Sequence, residues 1–184
     1  MQHLPGTTIE AGLSAADVKK MLDNLFIADG LMLSQVAYLT DLEPHAIQNW
    51  VKRGFMPPPV RKMYSKDQFC RVAIINMLRQ SLKIENITEL LSLINGDLKN
   101  AGDDSITDSD LYLLFITILE NAEKKGATEF SADLLPIGSV APFVKQGNKD
   151  VAVKRIRKVL KLMFYAYLSV QYKKKAEVIL SAID

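Results

Sequence analysis

Between Ser34 and Ile94 the chain is punctuated so closely that few arrangements are open to it. A short amphipathic stretch, Leu33 to Thr40, runs into the turn Asp41-Leu42, and Pro44 opens a second short helix. Pro44 suits a first helical turn, where its missing N–H costs nothing, and Gly54 supplies the stop. Pro57, Pro58 and Pro59 then forbid helix and favour an extended lead into Arg61-Lys62-Met63-Tyr64, which reads as a short basic strand. Two helices, a tight turn and a Gly/Pro stop before a strand are the parts of a winged helix-turn-helix, whose second helix enters a DNA major groove. Double-stranded DNA is therefore the first partner to expect.

The flanking sequence reads as helices with clear caps. Ser14, with Asp17 three residues on, caps a helix through Val18, Met21, Leu22, Leu25 and Phe26, with Asp29-Gly30 as its stop. Ser65 and Gln68 form a capping box ahead of Phe69, Val72, Ala73, Ile75 and Leu78, a core stripe. Ile87, Leu90, Leu91 and Ile94 share one face of a further helix ending at Asn95-Gly96. Thr107 and Asp110 cap a helix closed by Gly126, residues 127–147 read as a packed loop, and Asn148 opens a long final helix. In that helix Val153, Ile156, Leu160, Met163, Tyr167 and Val170 recur at steps of three and four, a seam for a second subunit or for the chain's own core.

The predicted fold is mainly α: a winged helix-turn-helix with a short two-stranded wing, followed by an all-helical C-terminal domain. Residues 1–32 form an N-terminal helical extension, 33–97 the winged unit, 98–106 a polar linker, and 107–184 a dimerisation or effector domain.

Net charge of +2 conceals strong segregation. Residues 34–83 carry eight Lys or Arg against three acids and residues 148–184 nine against three, whereas residues 84–147 carry four against eleven. Only the two basic stretches can attract a polyanion. A single cysteine, Cys70, leaves no internal disulfide or Cys-based metal cluster and favours a reducing cytoplasm. The longest apolar run, Leu162 to Leu168, is far short of the roughly 18 residues of a membrane span. With His3 and His45 the only histidines, and no phosphate loop, nucleophile elbow or HExxH motif, neither an enzyme nor a resident metal or cofactor is expected.

The collinear order resembles the DNA-binding domain of the MerR family of bacterial transcription regulators. Leu33 to Ala37 resembles that family's opening helix, Ala46 to Pro57 its recognition helix and glycine-hydrophobic-proline exit, Arg61 to Ser65 the end of its wing, and Ser81 to Leu91 its fourth helix. The wing is several residues shorter than the family's. Gln48 stands where the family often has Arg, Asn49 and Trp50 where it has paired Tyr, and an acidic stretch follows Asn95 in place of a long dimerisation helix. That combination resembles a bacterial family described only as a domain of unknown function with a MerR-like N-terminal half. The resemblance implies a homodimeric transcriptional regulator.

If Ile47, Trp50 and Val51 face the core, His45, Gln48, Asn49 and Lys52 share the outward face of their helix. Gln and Asn can read adenine, and His and Lys can reach guanine or phosphate. Ser34, Arg53, Arg61 and Lys62 complete the candidate DNA-contacting set, as groups that position on phosphate without specifying. The bland alternative is a solvated polar face on a winged helix kept for protein docking. Likewise, Lys154, Arg155, Arg157, Lys158, Lys161 and Lys173 to Lys175 read as DNA contacts, as partners of the acidic segment, or as a solvated helix face. Phe115, Phe130, Phe143, Phe164 and Tyr165 would line a pocket for an unknown small-molecule effector or simply fill the core.

Overall fold

Among the residues of the chain, the computed structural model describes all but Met1, Leu13, Asp29, Ala101 and Asp184, so Asp29 of the expected helix stop lies outside the described residues. The chain is mainly helical, with two small antiparallel sheets. In order it forms β1 (Gln2–His3), β2 (Glu10–Ala11), α1 (Ala15–Leu25), β3 (Leu31–Met32), α2 (Leu33–Thr40), α3 (Pro44–Lys52), β4 (Met63–Tyr64), α4 (Lys66–Leu78), α5 (Ile84–Asn95), α6 (Asp108–Lys125) and α7 (Lys149–Leu180).

Most boundaries follow from capping chemistry. Ser14 accepts the Asp17 N–H, Ser65 accepts the Gln68 N–H while Gln68 Oε1 accepts the Ser65 N–H, Thr107 accepts the Asp110 N–H, and Asn148 accepts from Asp150 and Val151. Each satisfies amides that the first helical turn leaves unpaired. Gly126 closes α6 in the left-handed conformation, and the loop of residues 127–147 carries two short 3-10 turns, Ile137–Ser139 and Ala141–Phe143.

The organising element is α4. Every residue from Gln68 to Leu78 is buried, so this helix has no solvent face, and α1, α2, α5, α6 and α7 gather round it and one another. One-sided amphipathicity therefore understated its burial, because a helix packed on all sides needs apolar residues all round. The polar stretch 98–106 is likewise packed rather than solvated: Leu98, Asp104 and Ile106 are buried, and a continuous apolar core runs from Leu4 to Ala166. In α7 the expected seam is chiefly internal, since Val153, Ile156, Leu160 and Met163 are buried. Beyond Gln171 the helix is exposed.

Two strand features depart from the sequence expectation. Arg61 and Lys62 are not strand residues, and β4 pairs with β3 from the N-terminal extension, Leu31 opposite Tyr64 and Met32 opposite Met63. Two-residue strands carry too little alternation to be read from sequence. Nor does sequence reveal the N-terminal hairpin, which is fixed by tertiary bonds: Tyr112 donates to the Pro5 carbonyl at 2.8 Å and Asn76 to the Gly6 carbonyl at 3.0 Å.

Gly6 has φ +73°, and a Cβ there would collide with the Ala73 carbonyl of α4. Gly6→Ala therefore combines left-handed strain with a backbone clash in the core and should cost about 2 kcal/mol or more. Urea unfolding of the variant is the check; a change of under about 0.5 kcal/mol would mean the hairpin does not hold this position on α4 in solution.

Candidate nucleic-acid interface

The face of α3 is set by what its other side buries. Ile47 and Trp50 sink into the core with Val36, Ala37 and Leu42, the small Ala37 letting α2 and α3 approach. That leaves His45, Gln48, Asn49 and Lys52 exposed in one stripe, at spacings of three and four. Ser34 is exposed in the first turn of α2, where its helix presents unpaired amides and a partial positive charge.

Arg61 and Lys62 are the two central residues of a tight hairpin turn. The Met63 N–H donates to the Val60 carbonyl at 2.9 Å, the two residues form an antiparallel bridge, and φ is +50° at Arg61 and +66° at Lys62. Positive φ at both positions marks the turn type usually built from Asn and Gly. Placing two long basic side chains there costs about 1 kcal/mol or more each. Both are exposed, so the strained turn serves to present two cations at the tip of the hairpin. The proline lead is anchored from below: Gln68 Nε2 donates to the carbonyls of Pro57 (2.9 Å) and Pro58 (3.0 Å).

Arg53 stands apart from this set. It ends α3, stacks on the Phe55 ring at 4.6 Å and reaches Glu85 of α5 at 3.5 Å, so its charge is partly answered within the chain. On the basic face of α7, Lys154, Arg155, Lys158 and Lys161 are exposed and, among the described residues, make no ion pair with residues 84–147; Arg157 donates to the Leu135 carbonyl, and Lys173 meets Glu177 of its own helix at 3.9 Å. Phe115 and Phe164 are fully buried core residues, and so is Cys70, whose thiol is pushed up by burial.

A buried polar cluster lies behind the hairpin and was not anticipated. Arg71, 2% exposed in mid α4, donates through Nε to both carboxylate oxygens of Asp108 at 2.8 Å. Its remaining N–H groups face the Phe55 and Leu98 carbonyls at 3.5 Å and, at 2.9 Å, the Asn95 side chain with its amide oxygen turned inward. Asp104 stands farther off, 3.9 Å from Arg71, and its Oδ1 is buried without a hydrogen-bond partner among the described residues. The sequence signal was an arginine set within the otherwise apolar run Phe69 to Leu78, with two acids four apart beyond it. A cleft of about 530 Å³ separates this cluster from the hairpin, lined by Pro58, Val60, Arg61, Met63, Arg71 and Asp104.

Burial pushes Asp104 up to about 6, with Arg71 opposing and Asp108 adding to the rise; burial also raises Asp108 against the pull of Arg71. At Asp104 the folded chain therefore holds a proton that the unfolded chain has already released above the ordinary aspartate value of 3.8. Stability contributed by that proton is present at low pH and is lost as pH rises towards and through 6. Asp104→Asn removes the titration of Asp104. Its melting temperature relative to the parent chain should rise between pH 4.5 and 7.5; a difference independent of pH would mean that Asp104 is not buried as described.

Set against known families, residues 24–115 match the model of a family described as a domain of unknown function, DUF1836. The match covers half of the chain, from inside α1 to inside α6, and so includes the α3 stripe, the hairpin and both ends of the Arg71–Asp108 pair. No curated protein and no solved structure matches the chain. Among the described residues no helix is long and apolar enough to cross a membrane, and no group of three or more His, Cys, Asp or Glu is placed to hold a metal ion.

Proposed function

We propose that this chain, which belongs to the DUF1836 family, is a MerR-like winged helix-turn-helix protein that binds double-stranded DNA as a transcriptional regulator. The observation that carries the reading is the division of α3: Ile47 and Trp50 anchor it, while His45, Gln48, Asn49 and Lys52 stand free on one face. A helix held this way can lie in a major groove, with Gln48 and Asn49 on base edges and Lys52 and His45 on guanine or phosphate. The Arg61–Lys62 turn is then the tip of a minimal wing, β4 is its second half backed by β3, and both cations meet phosphates. Ser34 offers a further phosphate contact at the start of α2. Arg53, engaged by Glu85 and Phe55, positions the exit of α3 and contributes less to binding.

Reading a pseudo-palindromic site requires two copies. The end of α7 supports a homodimer, because Tyr172, Val178, Ile179 and Leu180 are each half or more exposed on a helix about 48 Å long. A second reading, docking of a protein partner on the winged unit, has its own support in Tyr38 and Val60, exposed by 80% and 74%.

Fluorescence anisotropy against genomic duplex fragments separates these readings. Binding should weaken steeply with salt, and Lys62→Ala should reduce the salt slope by about one. Gln48→Ala should relax base preference by about 1–3 kcal/mol at its contacted pair, and Lys52→Glu should abolish binding. Salt-insensitive binding, or affinity unmoved by Lys52→Glu combined with Gln48→Ala, would overturn the DNA reading.

A further inference from the structure

A second cleft, of about 680 Å³, lies where the N-terminal hairpin meets the ends of α3 and α4 and the last turns of α7, on the Trp50 side of α3. Its charges are unbalanced: Arg53, Arg79 and Lys174 line it against one carboxylate, Asp41. Glu85 answers Arg53 at 3.5 Å, but neither Arg79 nor Lys174 has an ion-pair partner among the described residues. Arg79 is also held in place. Asn76, 8% exposed, donates through Nδ2 to the Gly6 and Thr40 carbonyls at 3.0 and 2.7 Å, which turns its Oδ1 to accept from Arg79 Nε at 2.8 Å. The two Nη groups, the fork that grips a phosphate or carboxylate with parallel N–H bonds, have no partner among the described residues. Three further polar groups on the wall are unpaired among the described residues, and none is sealed from solvent: the indole N–H of Trp50, itself 8% exposed, the Tyr167 hydroxyl and the Gln171 amide. Polar groups on side chains this buried are normally paired, so the wall is short of partners that only an occupant supplies.

We propose that this cleft binds a small phosphorylated sugar, its phosphate held by the Arg79 Nη groups and Lys174, its hydroxyls by Trp50, Tyr167 and Gln171. The phosphate end follows from charge, since two unanswered cations against one carboxylate favour an anion over a neutral or cationic occupant. The sugar end follows from the wall: an indole that donates, and a hydroxyl and an amide that both donate and accept, match hydroxyl groups better than hydrocarbon. Volume points the same way. Sites for small organic ligands run from about 300 to 1,000 Å³, and a bare phosphate would leave most of this cleft unused. Trp50 belongs to the inward side of α3, opposite His45, Gln48, Asn49 and Lys52, so the site stands independently of the DNA reading.

Titration of the full chain with ribose 5-phosphate tests the site, followed by calorimetry and by the fluorescence of Trp50, the chain's single tryptophan. The expected result is saturable one-to-one binding with the same affinity in both readouts, about tenfold or more tighter than that of ribose or of inorganic phosphate. Arg79 and Lys174 are exposed, so Arg79→Ala and Lys174→Ala should keep the parent melting temperature, while Arg79→Ala weakens binding about tenfold or more. Equal binding of inorganic phosphate would reduce the cleft to an adventitious anion contact, and equal binding of ribose would remove the role of both cations; either result overturns the proposal. Heat without a change in Trp50 fluorescence would place the ligand elsewhere and overturn it too, as would affinity unmoved by Arg79→Ala combined with Lys174→Ala. Excess duplex should leave ribose 5-phosphate bound. Its displacement would assign these cations to DNA phosphates and overturn the small-molecule site.

Discussion

The pair formed by Arg71 and Asp108 is the constraint on which the rest of the arrangement turns. A helix buried on every side is an unusual place for a guanidinium, and removing one member of such a pair commonly costs about 3–5 kcal/mol because the other charge is left stranded. Arg71 is satisfied by four groups drawn from three separate places: Asp108 at the start of α6, Leu98 and Asn95 around the end of α5, and Phe55 at the exit of α3. Its single side chain thus fixes where the chain leaves α3 and where α6 begins. The pair is better understood as fixing register than as adding net stability, since a buried ion pair roughly cancels its own desolvation.

That register reaches the surface through α4. Gln68 holds the proline lead through two carbonyls, the lead delivers Val60 to Met63, and the turn between them carries Arg61 and Lys62 at positive φ. Strain stored at an exposed turn persists only where its surroundings are over-determined, and here β3 on one side and Gln68 on the other provide that. The α3 stripe is rigid for a different reason, the burial of Ile47 and Trp50 beneath it. The molecule therefore offers two basic or polar presentations on one scaffold, a helix face and a hairpin tip, with a polar cleft behind the second.

Legibility in the sequence followed the strength of local signals. Ser14, Ser65, Thr107, Gly126 and Asn148 announced their helix ends, because capping is decided within four residues. The outward stripe of α3 was equally readable from the spacing of Ile47, Trp50 and Val51. What escaped was non-local. The pairing of Leu31–Met32 with Met63–Tyr64 depends on residues some thirty positions apart, and the left-handed turn at Arg61–Lys62 is imposed by that pairing rather than by residue preference. Residues 98–106 look like a linker by composition, and the distant partner Arg71 helps make burial of Asp104 and Asp108 tolerable. Arg53 illustrates the same limit, since its engagement with Glu85 could not be seen from its own neighbourhood.

The central claim is that one helix face and one hairpin tip together form a DNA-reading surface. Backbone amide spectra of the isotopically labelled chain, recorded as a selected genomic duplex is added, test it most directly. The account requires the shifts to concentrate at His45 to Lys52, at Val60 to Met63 and at Ser34, with the buried α4 amides little changed. Shifts confined to the lysine-rich end of α7, or to Tyr38 and its neighbours with a protein partner and none with duplex, would contradict it.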